Sequence, residues 1–247
     1  MPLISVLLAA RNAEKYIGQT IASILDSTFS DFEIVVVVNC SEDSTLSIVK
    51  SFCDVRVRVF ETNIGQLSFN LNFALQNARG RYIARIDADD MVTADRFEKQ
   101  VAILEASLSD VVGSNLLIID SASNETGKCL CFPEKNHIIR RSIFYRSVLA
   151  HPTIMMRKHI LLNAGGYLGG RYGQDYDLWL RLMRDPYIRF YNIQEPLVKY
   201  RLHEGQSKGN MGSYAEVAGY LFRESLISKR VSYLIGSFIY FLKAALR

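Results

Sequence analysis

Three carboxylates, Asp87, Asp89 and Asp90, crowd into four positions at the end of an apolar run in RYIARIDADDMVTADRF (81–97). Like charges this close repel. A strand end offers them no internal counter-charge, so the cluster is either solvated in a turn or built to hold something positive. Two acids one residue apart can bind a hard divalent cation through oxygen. Mg²⁺ or Mn²⁺ takes one or two carboxylates and leaves its other positions to water and substrate phosphate. Such an ion would neutralise a departing diphosphate. Exposed acidic turns are common, so the motif alone leaves both readings open. A fourth carboxylate, Asp175 in GQDYDLWLRLMRD (173–185), falls in or near the first turn of a predicted helix. There the helix dipole favours the ionised form from which a base must start.

The elements that must position these groups follow from apolar patterning. LISVLLAA (3–10) and FEIVVVV (32–38) are continuous apolar runs, as expected of strands buried on both faces. VRVRVF (55–60) alternates and reads as a strand with one wet face or at an edge. RYIARI (81–86) is the strand that leads into the acids, and DVVGSNLLIID (110–120) is another. Between them lie helical stretches. Ile17, Ile21, Ile24 and Leu25 recur at helical spacing after Asn12, a candidate cap. Ser41 is a candidate cap for a helix containing Leu46 and Val49. Residues 67–78 form a third helix, and Thr93 a candidate cap for a fourth over 93–106. This alternation predicts an α/β fold with parallel strands and crossover helices, in which ligands bind beyond the carboxyl ends of the strands. The loops at 9–12, 39–43 and 87–90 should therefore open onto one edge. The second half is less regular. SASNETG (121–127) reads as a hairpin tip, YIRFYNI and PLVKYRLH as two further strands.

Bulk properties remove several function classes. A net charge of +4 with no Lys/Arg-rich tract gives no nucleic-acid footprint. No G-x-G-x-x-G follows the first strand and no Walker lysine motif is present, so a dinucleotide or P-loop reading lacks its phosphate cradle. Cys129 and Cys131 lack the gap of a zinc knuckle, and with Cys40 and Cys53 they read as reduced thiols of a cytoplasmic protein. The opening MPLISVLLAARN reads as a strand and not as a signal peptide. No stretch reaches the roughly 20 apolar residues that span a bilayer.

Several segments together resemble the family 2 glycosyltransferases of the GT-A fold. YIARIDADD, preceded by NIGQLSFNLNFALQNARGR, is similar to the family's core. PLISVLLAARNAEKYIGQTIASIL and DFEIVVVVNCSEDST are similar to its opening. HPTIMMRK, GGY, QDYDLWLRL and PLVKYRLHEGQSK are similar to its acceptor half, in order and spacing. The resemblance covers residues 2–208. It implies a GT-A, Rossmann-like, mostly parallel central sheet flanked by helices. It also implies inverting transfer of a sugar from a nucleotide-sugar, best guessed as a UDP-sugar, to an acceptor hydroxyl in bacterial surface-polysaccharide synthesis. Carried over, Asp89 is the direct ligand of Mn²⁺ or Mg²⁺, Asp87 lies near the ribose and the metal, and Ala88 stands between them. His203 faces the metal or the diphosphate. Ala9 and Ala10 of the first loop and Asn39 hold the base and ribose. Asp175 is the base, with Asp177 as the alternative. Many relatives carry a pair of acids, or an acid and an amide, where this chain has Val38 and Asn39. Asp90 reads as a cap or a supporting acceptor, and His151 as a structural hydrogen-bonding group. Trp179 reads as helix core or as part of an acceptor pocket.

These features predict one catalytic domain over 1–212, with a nucleotide-binding half over 1–110 and an acceptor half over 111–212, followed by a helical tail over 213–247. In the tail Arg223, Lys229, Arg230, Lys243 and Arg247 outnumber Glu216 and Glu224. Two compatible readings stand for it: helices packed on the domain, or an interfacial segment on anionic lipid at the inner face of the plasma membrane. The acceptor would be a saccharide or a lipid-linked saccharide. Two other functions compete: a nucleotidyltransferase on a similar sheet, and a non-catalytic sugar-nucleotide-binding protein. The first lacks its Gly-rich loop in AARNAEKY. The second does not account for Asp87, Asp89, Asp175 and His203 occurring together.

Overall fold

The computed structural model describes residues 1–203 and 211–246. The segment EGQSK (204–208) of the last resembling motif, and Arg247 of the tail, lie outside the described residues. The first half runs β1 (Ile4–Ala10), α1 (Ile17–Leu25), β2 (Phe32–Asn39), α2 (Thr45–Lys50), β3 (Val57–Thr62), α3 (Leu67–Asn77) and β4 (Tyr82–Arg85). The chain continues through β5 (Met91–Val92), α4 (Arg96–Glu105), β6 (Val111–Ile119), β7 (Glu125–Leu130) and α5 (Asn136–Ser142). A 3₁₀ turn at His151–Thr153 leads to β8 (Met155–Arg157), α6 (Lys158–Asn163), α7 (Gln174–Leu182) and β9 (Phe190–Arg201). Two helices close the chain, α8 (Met211–Ser228) and α9 (Val231–Ala245).

The strands join one nine-stranded sheet in the order β3-β2-β1-β4-β8-β6-β9-β5, with β7 hairpinned onto β6. β3, β2, β1 and β4 all pair parallel. The second half enters through β8, which runs antiparallel to both β4 and β6, while β9 is parallel to β6. All eight residues of β2 are buried, because helices cover both faces of the sheet. Alternate side chains feed two cores. Leu7, Val35, Val37 and Ile83 pack with Leu71 and Leu75 of α3 and with Leu178 and Leu182 of α7. Val6, Leu8, Ile34, Val36 and Ala84 pack with Ile17, Ile21 and Ile24 of α1 and with Phe97 and Val101 of α4. A one-residue slip would exchange the two sets, so the pattern fixes the register.

Several sequence expectations need correction. Asn12, Ser41 and Thr93 do not cap helices. Asn12 sits at φ +47, and its Oδ1 accepts from the Glu42 amide at 3.0 Å, while Ser41 Oγ accepts from the Asn12 amide at 3.1 Å. The two residues stitch the loop after β1 to the loop after β2. Thr93 Oγ1 donates to Asp95 at 2.8 Å, and α4 begins only at Arg96. The expected pair of strands over 187–203 is the single twelve-residue β9. Pro196 has no amide to donate, and the register of β9 against β6 shifts around it. Asn115 Nδ2 donates to the Gln194 carbonyl at 2.7 Å across that irregularity. The strand therefore continues instead of ending, and it carries Tyr200 and Arg201 to the mouth of the sheet.

Candidate active site

The acidic loop 87–90 leaves the end of β4 and is braced from three sides. From α1, Thr20 Oγ1 donates to the Ala88 carbonyl at 2.9 Å. From β9, the Arg201 amide donates to Asp90 Oδ1 at 2.9 Å and Arg201 Nε to the Asp89 carbonyl at 2.8 Å. From β4 itself, Arg85 Nη2 donates to Asp87 Oδ1. Arg85 is almost fully buried. It is the counter-charge that a strand end was expected to lack, and it corrects that expectation. Arg201 also reaches Gln19 Oε1 at 2.9 Å and Ser123 Oγ at 2.8 Å, and its guanidinium lies 4.4 Å from the centre of the Tyr16 ring. One side chain thus ties the acidic loop to α1 and to the β6–β7 hairpin tip.

Two clefts meet at this loop. One, of about 770 Å³, is bordered by Ala9 near the end of β1 and by Arg11, Asn12, Lys15 and Tyr16 after it. The other, of about 690 Å³, is bordered by Leu67, Leu116, Leu130, Phe132, Leu149, Tyr200 and Asp175. Asp87, Asp89 and His203 line both, so they form the ridge between them. His203 Nε2 lies 2.9 Å from Asp89 Oδ2, and its ring packs 5.2 Å from that of Tyr16. Ala88 lines the first cleft. Ala10 and Asn39 stand back: both are buried, neither lines either cleft, and Asn39 pairs with Thr62 in the β2–β3 ladder.

Burial holds the Asp87 carboxyl above its ordinary pKa, with Arg85 opposing and Asp89 reinforcing the shift. Asp90, fully buried, is raised well above its ordinary value by burial and by the charges of Asp87 and Asp89. Its Oδ2 has no hydrogen-bond partner. Among the described residues no three His, Cys, Asp or Glu side chains converge as a complete metal cage. Two cleft-facing carboxylates suit a hard cation that completes its shell with water and phosphate oxygens.

Asp175 is the second residue of α7, entered through Gly173 at φ +60, a left-handed conformation that favours glycine. The ionised form that the helix start favours is opposed by burial. Burial raises its pKa above the ordinary aspartate value. The amides of Tyr176 and of Asp175 itself pull the other way, and the Asp87 charge adds to the rise. Asp177 is buried in ion pairs at 2.7 Å with both Arg181 and Arg223, and it lines neither cleft. His151 Nε2 sits 3.2 Å from the Tyr167 hydroxyl, and burial pulls its pKa well below the usual value, so it stays neutral. Trp179 is core.

Sequence reasoning missed Arg85, Arg201, Tyr16 and Gln19. Arg85 had a signal. It is a lone cation inside an apolar strand, two residues before Asp87, and period-two alternation puts both on one face. Arg201 had none, because its partners are more than 75 residues away in sequence.

Comparison with known proteins places the chain among glycosyltransferases. The profile of glycosyl transferase family 2 matches residues 5–166. The chain is 34% identical over 251 residues to the O-antigen biosynthesis glycosyltransferase WbnJ of Escherichia coli, covering 100% of this chain and 98% of that one. Among solved structures, S. aureus TarS 1–349 in complex with UDP-GlcNAc superposes with a TM-score of 0.73 at 22% identity, covering 92% of this chain and 67% of that chain. The mannosyltransferase PcManGT from Pyrobaculum calidifontis, in complex with GDP-Man and Mn²⁺, superposes with a TM-score of 0.64 at 15% identity, covering 99% of this chain and 73% of that chain.

Proposed function

The chain belongs to glycosyl transferase family 2, and from that premise we propose an inverting, metal-assisted transfer of a sugar from a UDP-sugar to an acceptor hydroxyl. The single observation that carries this reading is the ridge of Asp87, Asp89 and His203 shared by two clefts, with Asp175 bordering only one of them.

The donor lies in the cleft beside Arg11, Lys15 and Tyr16, where two cations face its phosphates and an aromatic ring can flank it. Asp89 and Asp87, with His203, would hold Mn²⁺ or Mg²⁺, which supplies positive charge against the departing diphosphate. Arg85 holds Asp87, and Arg201 holds the loop, so neither must reorganise during reaction. The acceptor lies in the cleft beside Asp175. Asp175 takes the proton of the acceptor hydroxyl as that oxygen bonds to the anomeric carbon and the carbon–oxygen bond to diphosphate breaks. Attack from the face opposite the leaving group inverts the anomeric centre. A raised pKa makes Asp175 a stronger base than an ordinary aspartate.

The O-antigen role of WbnJ supports an acceptor that is a growing bacterial surface polysaccharide, free or lipid-linked. A nucleotide-sugar donor puts the reaction in the cytoplasm. TarS is complexed with a uridine donor and PcManGT with a guanosine donor. The preference for UDP is therefore carried by the family resemblance and not by the fold.

The test is incubation of the full chain with UDP-sugars, an O-antigen-type oligosaccharide acceptor and Mn²⁺, with the product's anomeric configuration read by proton NMR. The reading predicts inversion, and loss of transfer on chelation that Mn²⁺ restores. A retained configuration refutes the one-step mechanism, and chelator-insensitive transfer refutes the metal.

A further inference from the structure

We propose that the outer face of the α8–α9 hairpin is a docking surface for an anionic lipid bilayer. The evidence begins with which residues the two helices leave in solvent. On α8 the exposed positions are Met211, Ala215, Gly219, Phe222, Leu226 and Ile227, a stripe at three- and four-residue spacing, and the last residue, Ser228. On α9 the exposed stripe is Val231, Leu234, Ile235, Phe238, Phe241 and Leu242. Apart from Ser228 and Lys243 near the helix ends, every exposed residue of the two helices is apolar. An ordinary surface helix turns its apolar side inward and its polar side outward. These helices bury a second apolar set inward, including Val217, Leu221, Tyr233 and Tyr240. The outward set therefore has no partner within the described residues. An open apolar groove of about 640 Å³ runs between the two helices, past Phe222, Leu234 and Phe238.

Charge selects the occupant. The hairpin has two acids, and the catalytic domain takes both. Glu224 is 2% exposed and is paired with Arg184 at 2.6 Å. Glu216 accepts from the Arg171 and Tyr172 amides at 3.0 Å each. The exposed charges of the described hairpin are then Lys229 and Arg230 at its bend and Lys243 near its end. An apolar face rimmed by cations and free of exposed acid is complementary to anionic headgroups above acyl chains. A second copy of the chain fits worse, because a symmetric contact would bring cationic rims together with no carboxylate to pair them. No helix of the described residues is long and apolar enough to cross a membrane, so the contact lies in the plane of the interface.

The hairpin is also fixed beside the Asp175 cleft. Gly236 packs so closely on Phe144 that an added Cβ would stand 2.2 Å from the Phe144 carbonyl oxygen. The Tyr240 ring lies 5.6 Å from that of Tyr176, the neighbour of Asp175. Lys243 Nζ donates to the Tyr145 carbonyl at 3.2 Å, two residues before Ser147 on the cleft wall. Docking would bring the cleft that borders Asp175 close to the bilayer, where a lipid-linked saccharide is presented.

The test is flotation of the full chain with vesicles of phosphatidylcholine alone and of phosphatidylcholine with phosphatidylglycerol. Binding is expected on the anionic vesicles. Lys229→Gln/Arg230→Gln should weaken it about thirtyfold, since each cation near the surface contributes several-fold. Phe238→Ser/Phe241→Ser should weaken it at least about tenfold. Both variants should keep the wild-type thermal midpoint and the wild-type rate toward a soluble acceptor. Equal recovery on neutral and anionic vesicles, or recovery with neither, overturns the proposal. So does a dimer in light scattering that Phe238→Ser/Phe241→Ser dissolves. Flotation uses no donor or acceptor, so its failure is distinguishable from a failure of the transfer reaction.

Discussion

The two clefts share a ridge but are built in opposite ways. The cleft beside β1 takes half of its lining from one continuous stretch, Ala9 to Tyr16, which brings the cations Arg11 and Lys15 to face the acids of the ridge. The cleft beside Asp175 draws Leu67, Leu116, Leu130, Phe132 and Leu149 from elements scattered over the chain, and its wall is mainly apolar. A local polar wall suits a ligand with fixed, charged parts, such as a nucleoside diphosphate. A wall assembled from distant, replaceable side chains can change from relative to relative without disturbing the ridge. On the proposed function, the contrast fits donor chemistry on one side and acceptor choice on the other.

The largest expected effect separates the two clefts by substitution. Asp89→Asn should abolish transfer and weaken donor binding in Mn²⁺, as read by calorimetry. Asp175→Asn should lower transfer by about 10²–10⁴-fold, the usual span for a general base, and leave donor binding unchanged. Equal donor affinity in the two variants would erase the functional distinction between the clefts. Next in size is the support beneath the ridge. Arg85→Met leaves the Asp87 carboxylate without its counter-charge, and urea unfolding should show a loss of about 3 kcal/mol. That is the low end for a broken buried pair, because Asp87 keeps some contact with water. Arg85→Lys should recover part of this loss.

A subtler effect concerns pH. The base works deprotonated and its pKa is raised, so transfer at saturating Mn²⁺ should fall on acidification sooner than an ordinary aspartate would allow. A rate undiminished down to pH 3.8 would contradict the burial of Asp175. The smallest effect belongs to the apolar wall. Leu130→Ala, on the exposed edge strand β7, should raise the acceptor KM a few-fold with donor KM unchanged, consistent with partial burial of one side chain. A change in donor KM instead would move Leu130 to the other side of the ridge.

How much of this was legible in the sequence follows the same divide. The parallel half was readable because β1 and β2 are continuous apolar runs and α1 repeats at helical spacing, both consequences of local patterning. The grouping of Asp87, Asp89, His203 and Asp175 came from the family resemblance, and the structure brings these four to adjoining cleft walls. Caps failed because Asn12 and Ser41 find better partners in each other's loops than in the helices beside them, a tertiary choice that propensity does not encode. β9 was split at Pro196 because a proline usually ends a ladder, whereas here Asn115 bridges the irregularity from the neighbouring strand. The helix dipole at Asp175 was visible in the sequence, but the burial that outweighs it was not.

The most direct measurement is an anomalous-scattering map from crystals grown with Mn²⁺ and UDP. The account predicts a manganese peak within about 2.5 Å of an Asp89 carboxylate oxygen, with the uridine seated beside Tyr16 and the Asp175 cleft free of nucleotide. A nucleotide lodged against Asp175, or a metal held away from Asp87 and Asp89 alike, would contradict it.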